Sequence, residues 1–229
     1  LLKVAFPLAV RADRATYEIP FGAIVRPTRA RSRRARARWE VAGQQWADLS
    51  EPGYGVSLLN DSKYGYDCRE TTLRLTLIRS PRYPHHAEPM SKTTGRCTDQ
   101  GEHRFTYALL PHADTWREAL TVRRARELNV PVVVLDGARE LRVPPLLRLA
   151  PPNIQVSAVA PSTDPGGLLV RLFEAHGVGG AARVHLGVPC DEVREVDLNQ
   201  RRVRRLSPHG GTLRLWFRPF QIRTLQLTP

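Results

Sequence analysis

Four carboxylates lie close together in the first third of the chain: Asp48, Glu51, Asp61 and Asp67, around Gly53 and Gly65. Hydrolysis of a glycosidic bond needs two carboxyl groups, one on each side of the scissile bond, and a pair from this cluster has the right chemistry. The competing reading is that these acids close turns by accepting backbone hydrogen bonds. His85, His86, Cys97 and His103 are zinc-ligand types, but their spacing fits no structural zinc pattern, and Pro84, Pro89 and Gly95 punctuate the segment. A metal-free surface loop over His85 to Gly101 is the expectation. His176 and His209 sit beside glycines in turns and are read as loop histidines, not general bases. Cys68 is a nucleophile only if a histidine approaches it in space; a buried small residue is the default. The glycine-rich turns lack the strand-to-helix context of a phosphate-binding loop.

The net charge is +13, and seven arginines fall between Arg26 and Arg38. No aromatic residues interleave with them as a stacking platform for bases requires. The run is therefore read as a solvated basic loop, and a nucleic-acid partner is not expected. Cys68, Cys97 and Cys190 are odd in number and widely spaced, which suits a reducing compartment better than a disulfide framework. No stretch of about 18 apolar residues is present to cross a membrane. The opening Leu1-Leu2-Lys3-Val4-Ala5-Phe6 reads as a strand already in progress without an initiator Met, so the expectation is a portion of a longer polypeptide.

The elements that would position these residues are mostly strands. Leu73, Leu75 and Leu77 alternate with polar residues, as do Val184, Leu186 and Val188, and Leu213, Leu215 and Phe217. Period-two alternation marks half-buried antiparallel strands. One helix is expected from Trp116 to Leu128, with Trp116, Leu120 and Leu128 facing inward. Asp114 or Thr115 would be its N-cap, Thr115 and Glu118 its capping box, and Asn129-Val130-Pro131 its stop. Val143-Pro144-Pro145 and Ala150-Pro151-Pro152 flank a short apolar run that reads as a linker or sheet-crossing segment. Turns at Asp164–Gly167, Gly177–Gly180 and Pro208–Gly211 then space short strands as in a small sandwich.

The string from Trp46 to Asp67, WADLSEPGYGVSLLNDSKYGYD, closely resembles the β region of the cytosolic-type α-mannosidases of glycoside hydrolase family 38. Phe105–His112, Trp116–Glu118, Glu127–Asn129, Leu169–Gly177 and Arg218–Leu225 resemble later segments of the same region in the same order. The chain departs from the family pattern at Arg29–Arg38, where the family has a polar segment with an Asn-Thr and a Trp-Asp. It departs again at His85–Asp99, which looks like an insertion.

The resemblance implies a mainly β, antiparallel fold. Residues 1–146 would be a mutarotase-like super-sandwich, incomplete at its start, and residues 147–229 a small C-terminal β-sandwich, with one short helix in the whole. It implies a cytoplasmic, retaining exo-α-mannosidase acting on α-mannoside glycans as the intact enzyme. The nucleophile and zinc ligands would lie in an N-terminal catalytic barrel, so no catalytic residue, metal ligand or cofactor is assigned to this chain. The barrel is its expected partner, with self-association and no membrane. Within the chain, Asn60, Asp61, Lys63 and Tyr64 are expected nearest to substrate. Asn60 and Asp61 would meet sugar hydroxyls, Lys63 a carboxylate of the facing domain, and Tyr64 a sugar ring. The alternative is a stand-alone carbohydrate-binding sandwich with Trp39, Trp46, Tyr54, Tyr64 and Tyr66 in a groove.

Overall fold

The computed structural model describes residues 1–82, 97–134, 136–137 and 144–228. The chain divides into two compact units, Leu1–Ile19 with Ile24–Pro131, and Pro20–Ala23 with Val132–Pro229.

The first unit contains two antiparallel sheets. One has the order β1 (Leu2–Pro7), β8 (Thr72–Ile78), β7 (Gly65–Arg69), β4 (Val41–Ala42). The other has the order β3 (Gly22–Pro27), β2 (Arg14–Ile19), β5 (Trp46–Glu51), β6 (Tyr54–Asn60), β9 (Tyr107–His112). Their inner faces share one core that includes Tyr17, Leu49, Leu58, Tyr66, Leu73 and Leu75. The expected alternation holds in β8, with Leu73 and Leu75 buried and Leu77 half-buried. Strands β5 and β6 break it: Trp46 to Leu49 and Gly55 to Asn60 are buried on both faces. The cover on their second face is a helix, α2 (Thr121–Asn129), and the turns before it, where Trp116 stacks at 4.8 Å on Trp46.

The second unit repeats the plan. A three-stranded sheet has the order β10 (Leu147–Ala150), β13 (Gly180–Leu186), β16 (Thr212–Phe217). A five-stranded sheet has the order β11 (Ile154–Pro161), β12 (Leu168–Glu174), β17 (Ile222–Thr228), β14 (Glu192–Val196), β15 (Arg202–Leu206). Val184, Leu186, Leu213, Leu215 and Phe217 point inward as the pattern predicts, while Val188 lies past the end of its strand. The turn after β12 needs glycine at Gly177: φ is +72°, and a Cβ there would stand 2.4 Å from the Phe220 ring.

Three expectations about elements are corrected. There are two helices among the described residues, not one: α1 (Arg33–Ala37) forms in the arginine run, where the Ser32 hydroxyl accepts the Ala35 N–H at 3.1 Å and the arginines and alanines are good helix formers. Helix α2 starts at Thr121 rather than Trp116. Thr115 does bond Glu118, but residues 116–120 form turns, and Leu120 at φ 55° redirects the chain before the helix begins. The inward residues of α2 are Val122 and Ala125, Trp116 is buried ahead of it, and Leu120 and Leu128 are only half-buried. Within the segment read as a linker, residues 147–150 are strand β10, paired with β13 from Leu147↔Leu186 to Ala150↔Arg183.

Candidate functional site

The chain passes from the end of β6 at Asn60 to β7 through residues 61–64, and Asn60, Asp61, Ser62 and Tyr64 border an open cleft of about 150 Å³ together with Gln44, Gln45 and Asn129. Asn60 builds this loop from inside. It is buried, its side-chain carbonyl oxygen accepts the N–H groups of Ser62 (3.0 Å) and Lys63 (2.5 Å), and its amide donates to Gln44 O (2.9 Å) and to the Tyr66 hydroxyl. That is an Asx turn. Its side chain is fully engaged within the fold, so what it contributes is the shape of the loop.

The exposed residues of the loop are differently held. Asp61 accepts from the Thr106 N–H at 3.0 Å and the Ser62 hydroxyl at 2.8 Å. Partial burial works against its charged form, but the bonds from Thr106 and Ser62 outweigh it and hold the carboxyl below its usual value. The Lys63 ammonium lies 5.1 Å from the centre of the Phe105 ring, a cation–π contact. Tyr64 is 66 % exposed, its ring free at the mouth of the cleft. Asn129, at the end of α2, donates to Asn60 O at 3.0 Å and ties the helix to the loop.

Glu18 stands behind Gln45. Its carboxylate accepts the Gln45 N–H at 2.6 Å, and its carbonyl accepts the Gln44 N–H at 3.1 Å. Burial pushes its pKa up to about 7, against the lowering pull of the Gln45 N–H, Arg126 and Trp46. Sequence reasoning missed this residue because Thr16-Tyr17-Glu18-Ile19 reads as ordinary strand alternation.

The other acids do not converge on a cleft. Asp48 is buried in a polar knot: it accepts from Ser50 (2.5 Å) and Ser57 (2.8 Å) and pairs with His112 Nε2 at 2.8 Å, and Ser57 in turn bonds Thr121 at 2.8 Å. Burial disfavours the charged His112 ring, but the bond and charge of Asp48 more than offset this and raise its pKa. Serine, histidine and aspartate here resemble a nucleophilic triad, yet the aspartate touches both partners directly and all lie inside. Asp67 is buried between Lys3 and Arg74, and Glu51 accepts the Arg11 N–H at 2.6 Å. Structural roles therefore account for all three.

Cys68 is buried, and burial first and Asp67 second push its thiol up to about 12, far from a thiolate at neutral pH. His176 is buried beside the turn at Gly177, and His209 bridges to Thr212 in a turn. All three cysteines are free. Cys97 and His103 are exposed; His85 and His86, with most of the loop expected there, lie outside the described residues. No group of three or more histidine, cysteine, aspartate or glutamate side chains gathers among the described residues. Of the five aromatics proposed for a sugar-binding groove, Trp46 and Tyr66 are core residues, and only Tyr54 and Tyr64 are well exposed. Among the described residues no helix is long and apolar enough to cross a membrane.

Two family models match the chain: the glycosyl hydrolases family 38 C-terminal domain over residues 1–87 and the family 38 C-terminal beta sandwich domain over residues 153–225. The chain belongs to the C-terminal region of glycoside hydrolase family 38. Human Alpha-mannosidase 2C1 is 36 % identical over 233 aligned residues, covering 99 % of this chain and 21 % of that protein. A yeast Alpha-mannosidase (Saccharomyces cerevisiae) is 42 % identical over 132 residues, 56 % of this chain and 11 % of its own length. In structure, an alpha-mannosidase from Enterococcus faecalis V583 superposes with a TM-score of 0.71 at 19 % identity, over 99 % of this chain and 25 % of that one, which is a likeness of fold. The chain thus spans about a fifth of the length of its human relative. Both family 38 models fall on stretches of β-strand, and the loop at residues 60–64 lies within the first of them.

Proposed function

We propose that this chain is the non-catalytic C-terminal β portion of a zinc-dependent, retaining exo-α-mannosidase that removes terminal α-D-mannose in the cytoplasm. The observation that carries this reading is the match to human Alpha-mannosidase 2C1 along 99 % of the chain. The nucleophile and the zinc are assigned to the part of the polypeptide outside this chain. This portion supports the cleft and offers the loop at residues 60–64 to the sugar. Asp61 and Tyr64 are the groups available to substrate, a hydroxyl acceptor beside an exposed ring. Lys63 is positioned by Phe105 for a carboxylate of the facing domain, and Asn60 acts through them by fixing the turn.

The test is hydrolysis of an aryl α-mannoside by the whole polypeptide and by this chain alone. The whole polypeptide should turn over and the chain should not, with or without added zinc. In the whole enzyme Asp61→Ala and Tyr64→Ala should each lower kcat/KM by about tenfold, roughly 1.4 kcal/mol of transition-state binding, at nearly constant Tm. Asn60→Ala should instead lower Tm together with activity. Turnover by this chain alone would overturn the division of labour, and unchanged kinetics in both loop variants would return the loop to a structural role.

A further inference from the structure

The arginine run left unused by the mannosidase reading lines a cavity of its own. This cavity, about 240 Å³, lies in the first unit among β2, β3, α1 and β4. Tyr17, Val41 and Cys68 line it and are all buried, Tyr17 to 1 % exposure. Trp39 forms part of the wall, and Arg26, Arg34 and Arg38 are among the residues that line it. Arg34 lies in α1 and Arg38 is its C-cap, and both line the cavity with Ala35.

Two buried neutral groups and three arginines line this space; Arg34 and Arg38 are exposed and Arg26 is half-buried. No described residue hydrogen-bonds the Tyr17 hydroxyl. The Trp39 indole N–H is buried without an acceptor among the described residues. None of the three arginines pairs with a carboxylate among the described residues. A buried donor without an acceptor is unfavourable, so a ligand that brings an acceptor to the Trp39 N–H gains by filling the space. Arg14, Arg29 and Arg31, with one acid, Asp13, line an adjoining cleft and leave it with a net positive charge.

We propose that this cavity binds a small phosphorylated ring compound, its ring against Trp39 and Tyr17 and its phosphate held by Arg26, Arg34 and Arg38. A phosphate monoester offers three terminal oxygens and close to two negative charges, which suits several guanidinium groups and neutral donors better than a carboxylate does. The recessed, largely apolar lining selects a compact ring over a polyanion, whose backbone would stay outside among the surface arginines. The inference does not rest on the mannosidase reading.

The test is calorimetric titration of the intact polypeptide with phenyl phosphate and with glucose 6-phosphate, which distinguish an aryl from a sugar ring. Inorganic phosphate, glucose and a single-stranded DNA oligonucleotide are the comparison ligands. One of the two phosphorylated rings should bind saturably, one per chain, and more tightly than inorganic phosphate or glucose. The R34Q/R38Q double variant should weaken that binding by at least about tenfold, and Tyr17→Phe by several-fold, with thermal melts checking that each variant is folded. Should the double variant fail to fold, Arg38→Gln alone and Tyr17→Phe carry the same comparison. The proposal is overturned if neither phosphorylated ring saturates, if inorganic phosphate binds equally well, if folded variants keep full affinity, or if the oligonucleotide alone binds through these arginines.

Discussion

Glu18 links the loop at residues 60–64 to pH. Its folded pKa, about 7, stands above its ordinary value of 4.5 because burial outweighs the Gln45 N–H, Arg126 and Trp46. A raised carboxyl pKa means that the folded state holds the proton longer than the unfolded chain does. The stabilising contribution is complete below the unfolded value, declines as pH rises toward 7, and is lost above it. Glu18→Gln keeps an acceptor for Gln45 and removes the ionisation. Its urea midpoint should change less between pH 4.5 and 8 than that of the unsubstituted chain, and at pH 8 the variant should be more stable by on the order of 1–2 kcal/mol. Parallel stability profiles for the two proteins would sink this account. The sequence offered a strand residue at this position; its burial depends on Gln45 and α2, which come from elsewhere in the chain.

At the scale of elements, a helix of only nine residues holds its place by burying a polar contact. Helix α2 brings Val122 and Ala125 to the sheet and adds the Thr121 hydroxyl, which meets Ser57 on β6 and through it Asp48 on β5 and His112 on β9. One knot thus joins the helix to three strands. Thr121→Val preserves the shape and deletes one bond, so it should cost about 1–2 kcal/mol. Asp48→Ala leaves the buried His112 without its counter-charge and should cost about 3–5 kcal/mol. Chemical denaturation of the two variants measures this ordering, and equal stabilities would show that the knot does not anchor the helix. The second unit has its own tie: the Glu174 carboxylate accepts the N–H groups of His176, Gly177 and Phe220 and the Asn153 amide, fixing two turns on one acid. Neither arrangement was legible in the sequence, because the partners are between 9 and 64 positions apart for Asp48 with Ser57 and His112.

At the scale of the whole molecule, the strand edges differ in how they are guarded. β15 ends one sheet with Arg202, Arg204 and Arg205, charges that oppose pairing with another edge. β9 and β11 end their sheets with far fewer charges; β9 exposes Tyr107 and Leu109, and β11 exposes Ala158 to Pro161. Made alone, this chain should associate through such edges. Light scattering should report mass growing with concentration, and Leu109→Lys should reduce it. A monomer at high concentration with one sharp melt would argue for an independent module.

The sequence by itself determined the family and, among the strands, β8, β13 and β16. Period-two alternation in β8, β13 and β16 is a local property, because neighbouring side chains must take opposite faces. The string from Trp46 to Asp67 carried the resemblance to family 38 with no structure needed. The Asx turn at Asn60 is also a local feature, since it closes on its own neighbours. Only the tertiary structure decided which side chains remained available. It buried Trp46 and Tyr66, engaged Asn60 within the fold, and left Tyr64 outside. It also turned a run of arginines from an expected loop into a helix beside a donor-lined cavity. Burial and hydrogen-bond partnership depend on segments distant in sequence, which no local pattern encodes.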